Sequence, residues 1–281
     1  MSHNKSKLGL FYFMKFSVLL SVYHKESPEY LVEAIKSIWD LQTLKPDQIV
    51  LVEDGPLTES LYTQIYKLKK EIGETLTVIP LSKNIGLSGA LNEGLKYCKH
   101  DLVARMDTDD VALPDRFEKQ LKFMLDNPDV SVCSGQIEEW NQNLSQKISE
   151  RSLPLDHDSI LKFAKTRSPI SHPAAMFKKS CVLAVGGYPE IYPEDYQLWG
   201  TMLTKGYRFA NMPDLLLRMR VGNALVERRG AKFLKGILRT YRNLYGAGFL
   251  TRFEFLYAVA FRALVLLSPV WLKSFFYKNL R

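Results

Sequence analysis

Apolar runs of strand length alternate with helix-spaced apolar residues over the first hundred residues of the chain. The runs are short and almost continuously apolar, as in strands covered on both faces, and they span residues 16–23, 48–52, 76–80 and 102–106. After each run, apolar side chains recur three and four residues apart, which indicates a helix packed on a sheet. This alternation predicts an α/β fold with a mainly parallel sheet and helices on both faces.

The following segment contains further strand and helix patterns without the regular alternation. We predict helices after Pro114 and over 158–166 and 194–204, and strands over 130–135, within 136–151 around a polar turn, and over 172–177 and 215–221. No internal repeat or low-complexity linker interrupts the pattern. We therefore expect one domain over residues 16–221, with halves at 16–110 and 111–221.

Polar residues cluster where the predicted strands end. They fall at Tyr23 to Glu26, Glu53 to Gly55, Asn84 to Gly86 and Asp107 to Asp110. In open α/β sheets, ligands bind in the crevice outside the carboxyl ends of the strands. The pattern therefore predicts a nucleotide-type site at this edge, formed mainly by the half over residues 16–110.

Carboxylates are densest at Asp107, Asp109 and Asp110, directly after the fourth run. Carboxylates this close repel one another, and a divalent cation is the usual remedy. A ligand set made only of oxygen atoms suits Mn²⁺ or Mg²⁺. The sequence therefore predicts a metal site that grips a diphosphate, with a solvated acidic turn as the alternative.

Two other ligand classes fit this segment less well. Asp107, Asp109 and Glu118 occupy positions 1, 3 and 12 of a calcium-binding loop, but Val111 and Ala112 stand where that loop needs a ligand and a glycine. The glycines near residues 84–94 form neither a Walker loop nor a dinucleotide-binding fingerprint. NAD and ATP therefore have no support in the pattern.

The C-terminal segment is strongly basic. Residues 216–281 carry 13 Lys or Arg and two Glu, a net of +11, so residues 1–215 carry −3 of the overall +8. Basic side chains recur on one helical face at Lys232, Lys235, Arg239 and Arg242, opposite an apolar face. We expect the tail, residues 222–281, to be helical and to meet an anionic membrane surface.

The tail could contact a membrane in more than one way, or pack on the domain instead. The apolar stretch 255–272 contains Arg262 near its centre, which makes a membrane span marginal and favours a helix lying in the membrane plane. A helical cap packed on the domain remains an alternative. Nucleic acid is not an expected partner, because no zinc, helix-turn-helix or RNA-binding pattern accompanies the charge.

The N-terminal extension, residues 1–15, contains a feature of secretory signals. Lys5 and Lys7 precede an apolar stretch, but Lys15 interrupts it and no small-residue cleavage site follows. Translation could start at Met1 or at Met14. The three cysteines are isolated, which favours free thiols in a reducing, cytoplasmic setting.

Several short segments, in order and at matching spacing, carry a resemblance to a known family. They are Ser17 to Tyr23 with Glu26, Ile49 to Gly55, Asn84 to Gly86 with Ala90 to Gly94, Ala104 to Asp110, Ser171 to Pro173, and Pro193 to Trp199. Together they resemble the family 2 inverting glycosyltransferases of the GT-A fold, and among these the bacterial polysaccharide and O-antigen enzymes of the amylovoran type. The resemblance covers roughly residues 16–221.

The resemblance implies roles for residues on the donor side. The implied nucleotide contacts are Ser21, Tyr23 and Glu26 for base and ribose, Asp54 for uracil, and Asn84, Gly86 and Asn92 along the nucleotide. Asp109 would be the direct metal ligand, and Asp107 would reach the ribose or the metal. The family often has two aspartates where this chain has Glu53 and Asp54. Gly86 is equally well explained as a turn glycine.

On the acceptor side, the resemblance implies that Asp195 is the catalytic base and that Glu194 contacts the acceptor. From spacing alone, both carboxylates could simply favour a helix N-terminus. His172 matches a family element near the diphosphate or acceptor, although a lone histidine is often structural.

The resemblance also implies the reaction. It would be hexosyl transfer, with inversion, from a UDP-sugar to a lipid-diphosphate-linked glycan acceptor in bacterial surface polysaccharide synthesis, such as O-antigen, capsule or exopolysaccharide. The enzyme would lie peripherally on the cytoplasmic face of the plasma membrane. The alternatives are a nucleotidyltransferase, whose usual Gly-rich start is missing here, and a non-catalytic scaffold that binds a sugar nucleotide or lipid.

Overall fold

The computed structural model describes residues 14–221 and 231–267. The predicted N-terminal extension lies outside these residues apart from its last two, as do 222–230 and 268–281 of the predicted tail. The strands are β1 (Phe16–Val22), β2 (Gln48–Glu53), β3 (Leu76–Pro80), β4 (Leu102–Arg105), β5 (Val111–Ala112), β6 (Val130–Trp140), β7 (Lys147–Arg151), β8 (Met176–Lys178) and β9 (Arg208–Arg220).

Helices follow most of these strands. They are α1 (Pro28–Ile38), α2 (Glu59–Ile72), α3 (Gly86–Tyr97), α4 (Arg116–Asp126), α5 (His157–Ala164), α6 (Lys179–Ala184), α7 (Glu194–Thr204), α8 (Ala231–Gly246) and α9 (Arg252–Leu267). Local signals explain the first helix: Pro28 lies in its first turn, and the Ser27 side chain accepts a hydrogen bond from the backbone N–H of Tyr30.

The described strands form one sheet with the order β3-β2-β1-β4-β8-β6-β9-β5, and β7 pairs with part of β6. The first four strands in this order are mutually parallel, as predicted. Gly94 lets α3 lie close against them, because a Cβ at this position would come within 2.4 Å of Leu19 and 2.8 Å of Val52. The alternating pattern therefore builds a tightly packed parallel half.

The other half of the sheet is mixed, so the prediction of a mainly parallel sheet is wrong there. β8 runs antiparallel to β4 and β6, β9 runs parallel to β6, and β5 runs antiparallel to β9. These pairings join segments that are distant in sequence, and no local period encodes their direction. The fold is thus an α/β structure with a mixed sheet.

Individual boundaries in this half also differ from the prediction. The predicted strand 172–177 is a 3₁₀ turn at His172–Ala174 followed by the short β8. Pro173 explains the turn, since proline fixes φ and lacks a backbone N–H. β9 starts at Arg208, seven residues before the predicted start. The short elements β5 and α6 were not predicted.

Two apolar cores cover the two faces of the sheet, as the predicted architecture requires. One core packs the sheet against α1, α2 and α4, with buried residues such as Leu31, Ile65 and Phe117. The other packs it against α3, α5 and α7, with Leu91 and Trp199 fully buried. The sheet edge between these layers is left open for the site.

The described part of the tail packs on the domain. Ile237, Tyr241 and Leu244 of α8 are buried in a separate apolar cluster with Tyr196 of α7. The apolar face predicted for this helix is therefore covered by protein. Within residues 14–221 and 231–267, every helix is too short or too polar to cross a membrane.

Candidate functional site

A cavity of about 640 Å³ opens where β1, β2 and β4 end. Both halves of the domain contribute to its wall. The predicted site residues that line it are Ser21, Tyr23, Glu26, Asp54, Asn84, Gly86, Asp107, Asp109, His172, Glu194 and Asp195. Residues separated by more than 170 positions in the sequence thus meet in one cavity, and Asn92 is the one predicted site residue outside this set.

Thr108 ties the first strand end to the acidic segment. Its hydroxyl donates to the Glu26 carboxylate at 3.1 Å and lies 3.4 Å from the Ser21 carbonyl oxygen. A tight turn after β1, in which the Glu26 N–H donates to the Tyr23 carbonyl at 3.0 Å, brings Glu26 back toward the cavity. The three residues predicted to hold base and ribose therefore share one wall.

Asp54 joins the end of β2 to the start of α3. Its carboxylate accepts from the Ile85 N–H at 2.7 Å, and the Asn84 side-chain amide donates to the Asp54 carbonyl at 3.0 Å. Gly55 allows this approach, because a Cβ there would lie 2.4 Å from the Asn84 nitrogen. Gly86 has φ +80°, so it serves the turn as well as lining the cavity.

The structure places Asn92 away from the cavity lining, in contrast to the predicted nucleotide contact. Its amide nitrogen donates to the Tyr188 carbonyl, and its carbonyl oxygen accepts from the Tyr188 N–H, both at 2.7 Å. Both ends of the carboxamide are thus engaged in holding the loop before α7 against α3. Asn92 contributes to the site through this packing.

The acidic cluster has the arrangement of a cation site. One carboxylate oxygen from each of Asp107, Asp109 and Asp110 lies within 4.8 Å of the others. Asp110 is buried, and one of its oxygens has no hydrogen-bond partner among the described residues. Burial, followed by the charges of Asp109 and Asp107, raises the pKa of Asp110 well above its usual value. A divalent cation would relieve this repulsion, so the residues fit the predicted metal.

The calcium-loop alternative does not match the backbone. Val111 and Ala112 form β5, and Val111 pairs with Arg218 of β9. Glu118, which that loop would need as its last ligand, is exposed and accepts a hydrogen bond from Thr43 at 2.7 Å. The segment after Asp110 is therefore a strand and a helix rather than a metal-binding loop.

Arg220, at the end of β9, holds the acidic cluster in place and was not predicted. Its N–H donates to the Asp110 carboxylate at 2.9 Å, and its guanidinium donates to the Asp109 carbonyl and pairs with Glu33. The guanidinium also lies 4.2 Å from the centre of the Tyr30 ring. No sequence signal identifies this residue, because the contacts cross 110 positions and depend on where β9 ends.

Glu194 and Asp195 begin α7 and line the same cavity. Glu194 is 6% exposed, and its burial, followed by the charge of Asp195, raises its pKa to about 7. Burial also raises the pKa of Asp195. The Ser168 hydroxyl donates to the Asp195 carboxylate at 3.0 Å. Ser168 was not predicted, since an isolated serine before a proline carries no distinctive pattern.

His172 lines the cavity between the two walls. Its Nε2 lies 3.1 Å from the Tyr188 hydroxyl, and its ring packs edge-on against Trp199 at 6.0 Å between centres. Burial, followed by the positive charge of Arg105, lowers the pKa of His172 well below its usual value. The imidazole is therefore neutral at physiological pH. His172 both packs against Trp199 and lines the cavity.

The donor wall, the acidic cluster and the carboxylates of Glu194 and Asp195 thus line one cavity. The model described as "Glycosyl transferase family 2" matches residues 17–185. The chain is 41% identical, over 81% of its length and 84% of the relative, to the amylovoran biosynthesis glycosyltransferase AmsE of Erwinia amylovora. The chain belongs to glycosyl transferase family 2, as the resemblance implied, and it is a glycosyltransferase.

The chain is also similar to a second bacterial relative and, in its fold, to a solved structure. The chain is 37% identical, over 94% of its length and 96% of the relative, to an Escherichia coli protein named UDP-Gal:alpha-D-GlcNAc-diphosphoundecaprenol beta-1,3-galactosyltransferase. The mannosyltransferase PcManGT from Pyrobaculum calidifontis, solved with GDP-Man and Mn²⁺, has a similar fold. The two structures superpose with a TM-score of 0.64 at 14% sequence identity, over 99% of this chain and 88% of PcManGT. The GT-A-like α/β fold is thereby confirmed.

Proposed function

We propose that this enzyme moves a hexose, with inversion, from a UDP-sugar to a lipid-diphosphate-linked glycan in the synthesis of a bacterial surface polysaccharide. The observation that carries the proposal is the meeting of the acidic cluster and Asp195 in one cavity. Single-displacement transfer needs a site for the departing diphosphate and a base for the incoming hydroxyl, and we assign these roles to the acidic cluster and to Asp195.

The donor side supports a uridine nucleotide and a divalent metal. Glu26 and Asp54 offer carboxylates at the strand ends where base and ribose would lie, and the E. coli relative is named for UDP-Gal. Asp107 and Asp109 would hold Mn²⁺ or Mg²⁺, with Asp110 next to them. When bound, such a metal offsets the charge of the departing diphosphate. The complex of PcManGT contains Mn²⁺ with its nucleotide sugar.

The acceptor side supports base catalysis by Asp195. An ionised Asp195 takes the proton of the acceptor hydroxyl as that oxygen attacks the anomeric carbon opposite the leaving group. Burial, which raises its pKa, makes it a stronger base than an exposed carboxylate, and the Ser168 hydroxyl fixes its orientation. Glu194 lies beside it for contact with the acceptor sugar, and neutral His172 provides a hydrogen-bonding group nearby.

The tail supports an acceptor carried on a membrane lipid. Lys235, Arg239 and Arg242 of α8 are exposed, and each basic residue contributes about 1 kcal/mol on an anionic leaflet. Since α8 buries its apolar face on the domain, the apolar contact with lipid would come from exposed side chains of α9, such as Phe253 and Leu256. The enzyme would lie peripherally on the cytoplasmic face of the plasma membrane.

The reaction is tested by offering a panel of UDP-sugars with Mn²⁺ to a lipid-diphosphate-linked GlcNAc or GalNAc acceptor. We expect one UDP-sugar to yield a longer glycan lipid and UDP. Transfer from a GDP- or dTDP-sugar alone would contradict the uridine assignment. Release of pyrophosphate would indicate a nucleotidyltransferase, and donor binding without any transfer would indicate a scaffold.

The membrane contact is tested separately by co-sedimentation with vesicles of phosphatidylglycerol and phosphatidylcholine. Changing Phe253 and Leu256 to Ser should lower vesicle binding several-fold and leave transfer to a water-soluble acceptor analogue unchanged. Tyr66→Ser on α2 is the matched control, because Tyr66 is 72% exposed and lies outside the tail. This variant should bind vesicles like the wild type. Equal binding of the α9 variant and the wild-type protein would contradict the membrane contact.

A further inference from the structure

Arg105 is a buried cation that no step of the proposed reaction yet uses. It ends β4, two residues before Asp107, and lines the cavity although it is only 1% exposed. Its backbone is fixed on both sides: its N–H donates to the Ala175 carbonyl at 2.8 Å, and its carbonyl accepts from an Arg116 Nη2 at 2.6 Å. The side chain therefore starts from a backbone position that two hydrogen bonds fix beside the cavity.

The hydrogen-bonding capacity of this guanidinium is only partly used. Among the described residues, Asp107 is its ion-pair partner, and its buried Nε has no hydrogen-bond partner. A guanidinium carries five N–H donors, and a buried charge is costly unless most of them are satisfied. A second anion that reaches this guanidinium from the cavity would therefore be held strongly.

We propose that Arg105 binds the diphosphate of the sugar nucleotide, as a second cation beside the Asp107–Asp109 metal site. One part of the guanidinium keeps its pair with Asp107, while another donates to a phosphate oxygen. The planar guanidinium suits this double task better than an ammonium group. A fixed positive charge in a site shielded from water also stabilises the charge that builds up as the nucleoside diphosphate leaves.

This inference rests on the proposed function, and it has one close rival. Arg105 could instead only brace Asp107, so that its influence on the nucleotide passes entirely through the metal. The two ideas differ when the metal is removed. A direct phosphate contact persists in EDTA, whereas an effect transmitted by the metal disappears.

The test measures UDP and uridine binding to the full-length protein by ligand-observed NMR, which reaches millimolar affinities, in diamagnetic Mg²⁺ and in EDTA. We expect Arg105→Met to weaken UDP binding about tenfold to a hundredfold in both buffers, the range for a charge-assisted hydrogen bond. Uridine binding should stay within twofold. Arg105→Lys, which keeps the charge without the fork, should fall between the wild type and Arg105→Met.

A control variant and three outcomes make the test decisive. Arg218→Met alters an arginine of β9 outside the cavity lining and should bind both ligands like the wild type. Wild-type UDP affinity of Arg105→Met in EDTA would overturn the inference in favour of the brace. If Arg105→Met and Arg105→Lys lose as much affinity for uridine as for UDP, the defect lies in the fold, and this result would also overturn the inference. A wild-type protein that binds UDP no better than uridine in either buffer would refute the proposed donor site itself.

Discussion

Residues 16–110 and residues 111–221 line the same cavity, but they are assembled in different ways. The first half places its polar groups at the ends of adjacent parallel strands and joins them by hydrogen bonds among its own residues, such as those of Asp54 with Ile85 and of Thr108 with Glu26. The second half also contacts the first, as in the hydrogen bond from Arg220 to Asp110. The tail extends this second half, because α8 packs on α7.

This difference suggests a division of labour. The donor side follows from the topology of a parallel sheet, so changes there should act on nucleotide and metal binding. The acceptor side depends on contacts between segments that are far apart in the sequence. Substitutions outside the cavity should therefore alter transfer while nucleotide binding stays intact. Each of the following variants tests whether the two sides separate in this way.

The largest effect is expected from Asp109→Ala on the donor side. Loss of the metal ligand should lower kcat/KM about a thousandfold, since metal stabilisation of a leaving group contributes several kcal/mol. Titration with Mn²⁺ should show loss of metal binding in parallel. Glu118→Ala, at the position that a calcium loop would require, should leave both quantities unchanged. Equal losses in the two variants would contradict the assignment of the metal site.

A smaller effect is expected where the tail meets the cavity wall. A Cβ on Gly236 of α8 would come within 1.4 Å of the Tyr192 carbonyl oxygen, and Tyr192 lines the cavity. Overpacking of this kind costs about 1–3 kcal/mol, so Gly236→Ala should lower Tm by several degrees and reduce transfer about tenfold. UDP affinity should stay within twofold.

Gly246, on the same helix, offers the matched control because a Cβ there meets no atom within 4 Å. Gly246→Ala should match the wild type in both Tm and transfer. If Gly236→Ala weakens UDP binding as much as transfer, the tail is not specific to the acceptor side and the separation fails.

The smallest effect concerns the hydrogen bond from Ser168 to Asp195. This bond lowers the pKa of Asp195 and partly opposes burial, the larger effect, which raises it. Ser168→Ala should therefore move the acid limb of kcat/KM to higher pH, with a loss of about tenfold near that limb and little change at pH 8.5. Ser180→Ala, which removes an exposed hydrogen bond from the Ser180 hydroxyl to the Asp101 carboxylate, should leave the pH profile unchanged.

The sequence was a good guide to the donor side. Strand alternation and strand-end polarity predicted β1 to β4 and the positions of Asp54 and Asp107, because in a parallel sheet these features follow directly from chain order. Asn92 shows the limit: the family resemblance implied a nucleotide contact, but the Asn92 carboxamide bonds to the Tyr188 backbone. A family position alone does not determine which way a side chain on a helix faces.

The acceptor side was less predictable for a physical reason. Ser168, Arg220 and Gly236 lie against Asp195, Asp110 and Tyr192, which are 27, 110 and 44 positions away in the sequence. Hydrophobic periodicity reports which face of an element is buried, but it does not report its neighbour. For the same reason, the apolar face of α8 was predicted correctly while its burial against α7 was only one of two alternatives.

Asp195 has the central role in the proposed mechanism, as the base that acts after the donor has bound. The direct measurement compares transfer and UDP binding in Asp195→Asn and in Asp158→Asn, a carboxylate in the first turn of α5. We predict that Asp195→Asn loses transfer by a factor of about 10² to 10⁴ and keeps UDP affinity within twofold, while Asp158→Asn transfers normally. Transfer at the wild-type rate in Asp195→Asn would show that the carboxylate only supports the helix N-terminus and would contradict the mechanism.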